Sequence, residues 1–194
     1  GLIGITIMLI QHINRIYLLR LNQLSEKVQA HDLLFLVSSH VIQVNNENTK
    51  EKMKEVLNLI CDYVQADRAH IYFRETQELA EDEAYYFWCN EGNNNVDRYS
   101  LQDINIVRFP WIKQQLKDNG VVLVSNVDEL AKEAEAEKIF LLNQQVKSVL
   151  IIPLKRQEHN IGFLRIDYVS NKKKFDESFT KILMTIGNIL GEAH

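Results

Sequence analysis

Residues Phe109 to Ser170 read FPWIKQQLKDNGVVLVSNVDELAKEAEAEKIFLLNQQVKSVLIIPLKRQEHNIGFLRIDYVS, and this stretch decides the fold. Pro110 opens a helix that Gly120 ends. A short buried strand, an acidic helix and two longer strands follow, and the two longer strands are joined by a hairpin turn within residues 157–160. Asp176 then caps the last helix of the chain.

The region before this stretch adds a helix and two aromatic strands. Asn48, with Glu51 three residues later, predicts the start of a helix that runs to about Gln65. Residues 69–74 (AHIYFR) and 84–89 (AYYFWC) are rich in the aromatic and β-branched residues that favour strands. Helices at both chain ends around an antiparallel sheet predict an α+β fold. We expect the terminal helices to cover one face of the sheet and to leave the other for a ligand.

The composition excludes several classes of protein. A net charge of −4 argues against a nucleic-acid surface, which usually carries clustered Lys and Arg. Cys61 and Cys89 are too few for a disulfide framework or a metal knuckle. The sequence contains no phosphate-binding glycine loop, no paired metal-ligand spacing and no elbow around a serine. We therefore expect no catalytic residues, no metal site and no partner nucleic acid.

One heptad register runs without a break from Ile3 to Ile42. Its alternating spacing of four and three residues is that of the seam of a left-handed coiled coil, and Asn14 fits there as a polar pair that fixes the register. The alternative is a single amphipathic helix that folds against its own domain, because Asn14, His31 and Ser38 dilute the seam. The residues that we assign to a dimer helix are Ile7, Ile10, Asn14, Tyr17, Leu21, Leu24 and Val28.

The apolar run from Leu2 to Ile10 is followed by Arg15 and Arg20. The run is too short to cross a bilayer, which takes about twenty residues, and it lacks the features of a signal peptide. We interpret it as the cytoplasmic end of a membrane helix, with the arginines following the positive-inside bias. This interpretation predicts membrane attachment through the amino end and a cytoplasmic domain of an inner-membrane protein. Beyond Asp32 more apolar positions join the pattern, so we divide the chain into a signalling helix, residues 1–31, and a sensor domain, residues 32–194.

From about Asp32 to His194 the chain resembles a GAF domain, the small-molecule sensor module of many bacterial receptors. It is most similar to the subgroup found before diguanylate cyclase, phosphodiesterase or histidine kinase modules. The resemblance implies a six-stranded antiparallel sheet, a covered pocket and a homodimer through the terminal helices. It rests on Phe109-Pro110-Trp111, Val124 to Leu130, Ala134 to Glu137, Val146 to Leu150 with Pro153-Leu154, and Ile161 to Leu164 with Asp167.

The resemblance also bears on the ligand. Residues 171–177 echo the letters of the cyclic-nucleotide signature but compress its spacing, and neither cysteine has the His neighbour of bilin-carrying members. The cofactor therefore stays unknown. The residues that we assign to a ligand pocket are Tyr86, Trp88, Trp111, Ser125, Asp128, Leu142, Arg165 and Asp167.

Two classes of function remain open. The first is a non-catalytic sensor that binds a small molecule and relays a signal through dimeric terminal helices to an output module such as a diguanylate cyclase. The second is a ligand-free dimerisation and relay module in a membrane-bound histidine kinase or a similar receptor. A ligand that binds the native state separates the two, because such binding raises stability by mass action.

Overall fold

The computed structural model of the chain describes residues 2–45, 47–74, 83–90 and 109–193. Short 3-10 turns occupy Val127–Glu129 and Lys132–Ala134. The helices of the described residues are α1 (Leu2–Ile42), α2 (Thr49–Val64), α3 (Pro110–Asn119), α4 (Glu135–Asn143) and α5 (Glu177–Ala193). Their strands are β1 (Arg68–Arg74), β2 (Glu83–Cys89), β3 (Val122–Val124), β4 (Ser148–Arg156) and β5 (His159–Tyr168).

The strands form one antiparallel sheet in the order β2-β1-β5-β4-β3. β5 is the central strand, with Leu164 opposite Ile71 of β1 on one side and opposite Ile152 of β4 on the other. The α+β architecture expected from the sequence is confirmed. Five strands, one fewer than the resemblance implies, lie within the described residues.

One face of the sheet, which we name the helix side, is covered by α1, α2 and α5. Alternate residues of a strand point to the same face, so each strand contributes every second side chain to this core. All of these side chains are apolar, and their burial is the main driving force for folding. The core includes Leu33 and Val37 of α1, Val56, Leu57 and Ile60 of α2, Ile71, Leu150, Ile152, Leu164 and Ile166 of the sheet, and Leu183, Ile186 and Leu190 of α5.

The opposite face, which we name the lid side, is covered by α3, α4 and the 3-10 turns. Its apolar core is smaller, and it is centred on Tyr72 and Phe163, whose stacked rings lie 5.1 Å apart. The other members of this core are Phe109, Ile112, Val122, Val124, Val127, Leu141, Val146, Val149 and Ile151. The sheet thus separates two cores, as the sequence predicts for terminal helices packed on one face.

The helix ends follow the capping chemistry in the sequence with one exception. Gly120 ends α3 with a φ of 72°, a left-handed conformation that glycine adopts without strain. Asp176 caps α5, because its Oδ1 accepts a hydrogen bond of 2.8 Å from Phe179 N. Asn48 precedes α2 as expected but makes no side-chain bond to the helix. Its Oδ1 accepts instead from Asn45 N, which shapes the preceding loop.

The hairpin between β4 and β5 is tied to the end of α5. Its two turn residues, Gln157 and Glu158, both have positive φ, and Gln157 N donates to Glu192 Oε1 at 2.9 Å. α5 approaches β4 closely at Gly191, where an added Cβ would lie 2.2 Å from Lys155 O. Only glycine allows this approach.

α1 is a single helix with two different sides in its second half. Leu33 and Val37 are buried against the domain. Phe35 is 71% exposed and Ile42 is 82% exposed, and both occupy heptad positions. Residues of a helix are about 100° apart, so Phe35 lies about 160° from Leu33 and Val37. The heptad seam therefore continues along the outward side of α1 beyond Val28.

The seven residues assigned to the dimer helix all lie on exposed surface of the single chain. Their role stays a prediction, as does the division at residue 31, which α1 crosses unbroken. None of the helices in the described part of the chain is long and apolar enough to cross a membrane.

Candidate functional site

A group of polar side chains lies between the lid side of the sheet and the end of α4. Alternate residues of β1 and β5 supply four of them, and the register sets Arg68 beside Asp167 and His70 beside Arg165. All members except Tyr85, which is half-buried, are at most 5% exposed. We name this group the polar cluster, and its members are Arg68, His70, Tyr85, Gln144, Arg165 and Asp167.

Arg165 and Asp167 form a two-pronged ion pair at the centre of the polar cluster. Arg165 Nε donates to Asp167 Oδ1 at 2.7 Å, and an Arg165 terminal nitrogen donates to Oδ2 at 2.8 Å. The same nitrogen donates to Gln144 Oε1 at 2.6 Å. The guanidinium carbon lies 5.5 Å from the centre of the Phe140 ring, which adds a cation–π contact. Arg165 is therefore held on three sides and is fixed in place.

Asp167 is ionised in the folded protein although it is fully buried. Burial raises its pKa, but the positive charge of Arg165 outweighs burial and lowers the pKa to about 2. Its two oxygens are both occupied by Arg165. Asp167 thus acts as a fixed negative charge at physiological pH.

His70 is neutral in the folded protein. Burial lowers its pKa, and the attraction of Asp167 for an imidazolium does not compensate. His70 Nδ1 lies 2.8 Å from the Tyr85 hydroxyl, and Nε2 lies 3.3 Å from Asp167 Oδ2 without the alignment of a hydrogen bond. Burial raises the pKa of Tyr85, so its hydroxyl keeps its proton and can donate to Nδ1. We infer that the imidazole proton is on Nε2, because a lone pair there would face the Asp167 carboxylate.

Arg68 is the least satisfied member of the polar cluster. One of its terminal nitrogens donates to the backbone oxygen of Gln144 at 3.0 Å, at the carboxyl end of α4. Its Nε has no hydrogen-bond partner within the described residues. No carboxylate of that part of the chain lies within 4.0 Å of its guanidinium. Arg68 therefore buries a positive charge with little compensation.

Asp67 connects the polar cluster to the segment that leads into α5. Its Oδ2 accepts from Val169 N at 2.6 Å and from Ser170 N at 2.8 Å, and its Oδ1 accepts from the Ser170 hydroxyl at 2.8 Å. Asn90 Nδ2 donates to Oδ1 at 3.2 Å. Burial raises the pKa of Asp67, but these hydrogen bonds outweigh it and the net shift is downward. The start of β1, including Arg68, is thereby tied to the chain that follows β5.

Glu137 corrects an expectation from the sequence. In the acidic helix that the sequence predicts after Asp128, the alternating glutamates Glu133, Glu135 and Glu137 are expected to face solvent. Glu133 and Glu135 do so, but Glu137 is 1% exposed. Its Oε1 accepts a hydrogen bond of 2.8 Å from Trp111 N in the first turn of α3. A carboxylate there satisfies a free backbone N–H and the positive end of the helix dipole, so it is stable when buried.

The eight residues assigned to a ligand pocket do not form one group. Arg165 and Asp167 belong to the polar cluster, whereas Tyr86 and Trp88 pack into the helix-side core. Those two aromatics lie on the other face of the sheet from Arg165 and Asp167. β2 turns Tyr85 and Phe87 toward the lid side, where Phe87 lies 4.8 Å from His70.

The remaining four assigned residues lie further from the polar cluster. Trp111 is half-buried and packs on the lid-side core. Ser125, Asp128 and Leu142 are exposed, and Asp128 lies 3.3 Å from Lys172 in a surface ion pair. These residues therefore border the lid rather than the polar cluster beneath it.

The sequence did carry a signal for the residues that were missed. In β1 the letters Arg68-Ala69-His70-Ile71 alternate polar and apolar, which predicts one polar and one apolar face. The strand opposite Arg165 and Asp167 was thus identifiable as a source of polar neighbours. Gln144 follows α4 and reaches the polar cluster only through the tertiary packing of α4, so no local pattern indicated it.

Two further features carry less chemistry. An open groove of about 290 Å³ lies between α5 and the β4–β5 hairpin, away from the polar cluster, and its rim is a mixture of exposed side chains. Among the residues with described positions, no three His, Cys, Asp or Glu side chains are grouped to hold a metal ion. Cys61 is a buried free thiol whose pKa burial raises, and this makes it inert.

The fold and the covered polar face can now be compared with known proteins. The family model described as "GAF domain" matches residues 48–193. The chain belongs to the GAF domain family. GAF domains are in general sensory modules of signalling proteins, which agrees with the absence of a catalytic motif in the sequence. A search of proteins with curated functions finds no significant match.

Solved GAF domains share this fold at low sequence identity. The GAF domain of a phosphoenolpyruvate-protein phosphotransferase from Acinetobacter is 17% identical, with a TM-score of 0.60 over 84% of this chain and 90% of that one. A phycocyanobilin-bound GAF domain from a cyanobacterial phytochrome is 15% identical, with a TM-score of 0.63 over 84% and 92%. A GAF domain assigned to a sensor histidine kinase from Pseudomonas syringae pv. tomato is 14% identical, with a TM-score of 0.54 over 89% and 91%.

Proposed function

We propose that this GAF domain is the non-catalytic sensor of a larger bacterial signal-transduction protein and binds a small molecule on its lid side. The observation that carries the proposal is the polar cluster. Burying charged groups costs free energy, and replacing a buried ion pair by apolar residues is often neutral or stabilising. Arg68, Arg165 and Asp167 are therefore poor choices for stability alone. They are good choices for recognising a ligand under a lid.

In this proposal, Asp67 transmits the signal from the ligand site to α5. Asp67 adjoins Arg68 and holds Val169 and Ser170, which precede α5. A ligand that displaces Arg68 would thus pull on the segment that starts the last helix. Because α1 and α5 pack together on the helix side, movement of α5 changes the packing of α1. This coupling is a mechanical hypothesis that rests on contiguous hydrogen bonds and packing.

We further propose that two copies pair through the outward side of α1. The exposed seam includes Ile7, Ile10, Leu24, Phe35 and Ile42, and apolar side chains at such spacing are covered by a partner helix in a coiled coil. The domain-facing side of the same helix is buried in its own core. A shift of α1 relative to its domain would therefore be felt directly at the dimer interface.

The output module and the location of the protein are further parts of the proposal. A diguanylate cyclase, phosphodiesterase or histidine kinase would lie outside these residues, in a cytoplasmic domain of an inner-membrane protein. The apolar run Leu2 to Ile10 would adjoin the membrane. A GAF domain assigned to a sensor histidine kinase has the same fold, and this likeness supports the kinase alternative only by analogy.

A thermal-unfolding screen of the purified chain against a metabolite library tests the sensor proposal. A ligand of the native state raises the melting temperature by an amount that grows with the logarithm of its concentration over its dissociation constant. Binding that is lost in Arg68→Met but kept in Lys155→Met, which alters the rim of the open groove, would support a lid-side site. A library without any stabilising compound would favour the alternative, a ligand-free dimerisation and relay module.

A further inference from the structure

We propose that the ligand presents a single carboxylate to Arg68. This inference rests on the proposed sensor function and names the chemical class that the site accepts. It starts from the charges of the polar cluster. Arg68 and Arg165 are positive, Asp167 is negative, and His70 is neutral, so the polar cluster carries one excess positive charge in a buried setting.

Arg165 does not supply this excess charge. Its Nε and one terminal nitrogen are taken by both oxygens of Asp167, its other described bond goes to Gln144, and Phe140 covers its plane. The positive charge of Arg165 is therefore already balanced by Asp167. The uncompensated guanidinium is that of Arg68, which has one hydrogen bond to a neutral carbonyl and an Nε without a partner among the described residues.

Three other groups could compensate Arg68, and none is sufficient. Asp167 stands directly opposite Arg68 across the β1–β5 pair, but both of its oxygens are hydrogen-bonded to Arg165. The carboxyl end of α4 carries at most about half a negative charge. The carboxylate of Glu137 lies seven residues before Gln144 on α4, which corresponds to about 10 Å along the helix axis. Glu137 is also engaged with Trp111 N at the start of α3. Among the described residues, no carboxylate is therefore left to pair with Arg68 at ion-pair distance.

The missing group is best matched by a carboxylate. A guanidinium has five donors in a planar fork, and a carboxylate accepts two of them in parallel. One negative charge balances the excess, whereas a phosphate dianion would leave a buried negative charge. His70 lies two residues further along the same face of β1 and is neutral, so it adds no charge that a second anionic group would have to balance. The geometry thus favours an organic monoanion over a phosphate ester or a neutral ligand.

The test compares carboxylates with their neutral amides at constant ionic strength. Acetate, pyruvate, benzoate and indole-3-acetate are titrated into the full chain beside acetamide, pyruvamide, benzamide and indole-3-acetamide, with inorganic phosphate as a dianion. We expect at least one acid to raise the melting temperature by about 3–6 °C at ten times its dissociation constant. Its amide should bind at least about tenfold more weakly, since a charge-assisted hydrogen bond is lost.

Variants then assign the effect to Arg68. Arg68→Met should abolish the response to the acid, and Arg68→Lys should weaken it because the planar fork is lost. Lys181→Met removes the same charge from an exposed site on α5 and should respond like the wild type. If Arg68→Met does not fold, line broadening of ¹³C-labelled acid against ¹³C-labelled amide with the wild-type protein decides the question alone.

The outcomes separate this inference from the proposed function. Equal responses to acid and amide, a preference for phosphate, or an unchanged response in a folded Arg68→Met variant would overturn the carboxylate assignment. A neutral library compound that binds on the lid side would overturn it too, while the sensor function would stand. Failure of every acid, amide and library compound to bind would overturn both.

Discussion

The helix side of the sheet is apolar from edge to edge, whereas the lid side buries two arginines, a histidine and an aspartate. Both faces belong to the same strands, since Ile71 and Leu164 alternate with His70 and Arg165 along β1 and β5. The difference indicates a division of labour. The helix side supplies the free energy of folding through apolar burial, and the lid side keeps charges in place at a cost that a ligand can offset.

The largest expected effect comes from breaking the buried ion pair at one end. Asp167→Asn leaves Arg165 buried without its counter-charge and should cost about 3–5 kcal/mol of unfolding free energy in urea. The double variant Arg165→Met with Asp167→Leu should stay within about 1–2 kcal/mol of the wild type, because it removes both charges. If the double variant is as unstable as the single one, the lid-side charges serve stability and the comparison fails.

A cavity on the helix side gives the next largest effect. Leu164 is fully buried in the central strand, so Leu164→Ala should cost about 2–5 kcal/mol. Leu123→Ala in the edge strand β3 serves as the control, since Leu123 is 43% exposed and should lose much less. Equal losses in urea titrations would show that burial on the helix side does not dominate stability.

Acid should lower the unfolding free energy through the lid side, where Asp167 is buried. Unfolded Asp takes up a proton near pH 4, whereas folded Asp167 stays ionised to about pH 2. The stability from Asp167, of the order of 2 kcal/mol, is therefore present above pH 4 and is lost as the pH falls from about 4 toward 2. Asp167→Asn should flatten this part of the profile in urea titrations at stepped pH. A wild-type profile that is level between pH 4 and 2 would contradict the ion-pair geometry.

His70 adds a second change to the same profile of stability against pH, at higher pH than that of Asp167. The folded pKa of His70 is lowered by burial, so below about pH 6.5 the unfolded state binds a proton that the folded state refuses. The stability from neutral His70 is present above pH 6.5 and declines as the pH falls below it. His70→Gln should remove this decline and leave the lower step of Asp167. If the decline in stability below pH 6.5 persists in His70→Gln, it does not come from His70, and the inference that His70 is buried in the neutral form is contradicted.

The smallest effect on stability is expected on the outward side of α1, which is apolar yet uncovered in the single chain. Leu24→Asp places a charge in the seam and should convert dimers to monomers in light scattering after gel filtration. The unfolding free energy of the domain should change by less than about 0.5 kcal/mol, because Leu24 is exposed. Asn22→Asp is the control, because Asn22 is exposed and lies at a heptad position outside the seam. Unchanged dimers in Leu24→Asp would argue that α1 does not pair.

The apolar face was predictable from the sequence, and the polar face was only partly so. The apolar runs of β4 and β5 and the caps at Gly120 and Asp176 are local signals, so the elements followed from them. Tyr86 and Trp88 were grouped with Arg165 and Asp167 although they lie on the other face, because both faces of β2 carry large aromatic residues. The local sequence pattern cannot show which face of β2 points to which side of the sheet. The pairing of Tyr86 with Ile71 of β1 shows that Tyr86 lies on the helix side.

The buried charges needed tertiary information. Glu137 has the sequence context of a solvent-exposed helix face, and its burial depends on the start of α3, which packs against it. Nothing in the local sequence distinguishes Arg68 from an exposed arginine at the start of a strand. Its burial depends on the end of α4, where it donates to the backbone oxygen of Gln144. Arg165 and Asp167 were assigned to the pocket through the family resemblance, and in the structure they form an ion pair. The missed residues are thus those whose partners lie far away in the chain.

Native mass spectrometry of the purified 194-residue chain tests the central claim most directly. The account predicts a dimer of twice 22.7 kDa that carries the additional mass of a small organic acid, which Arg68→Met loses. A dimer without added mass, whether or not carboxylates are supplied, would contradict ligand sensing and favour the relay module. A monomer without added mass would contradict both the sensor and the pairing of α1.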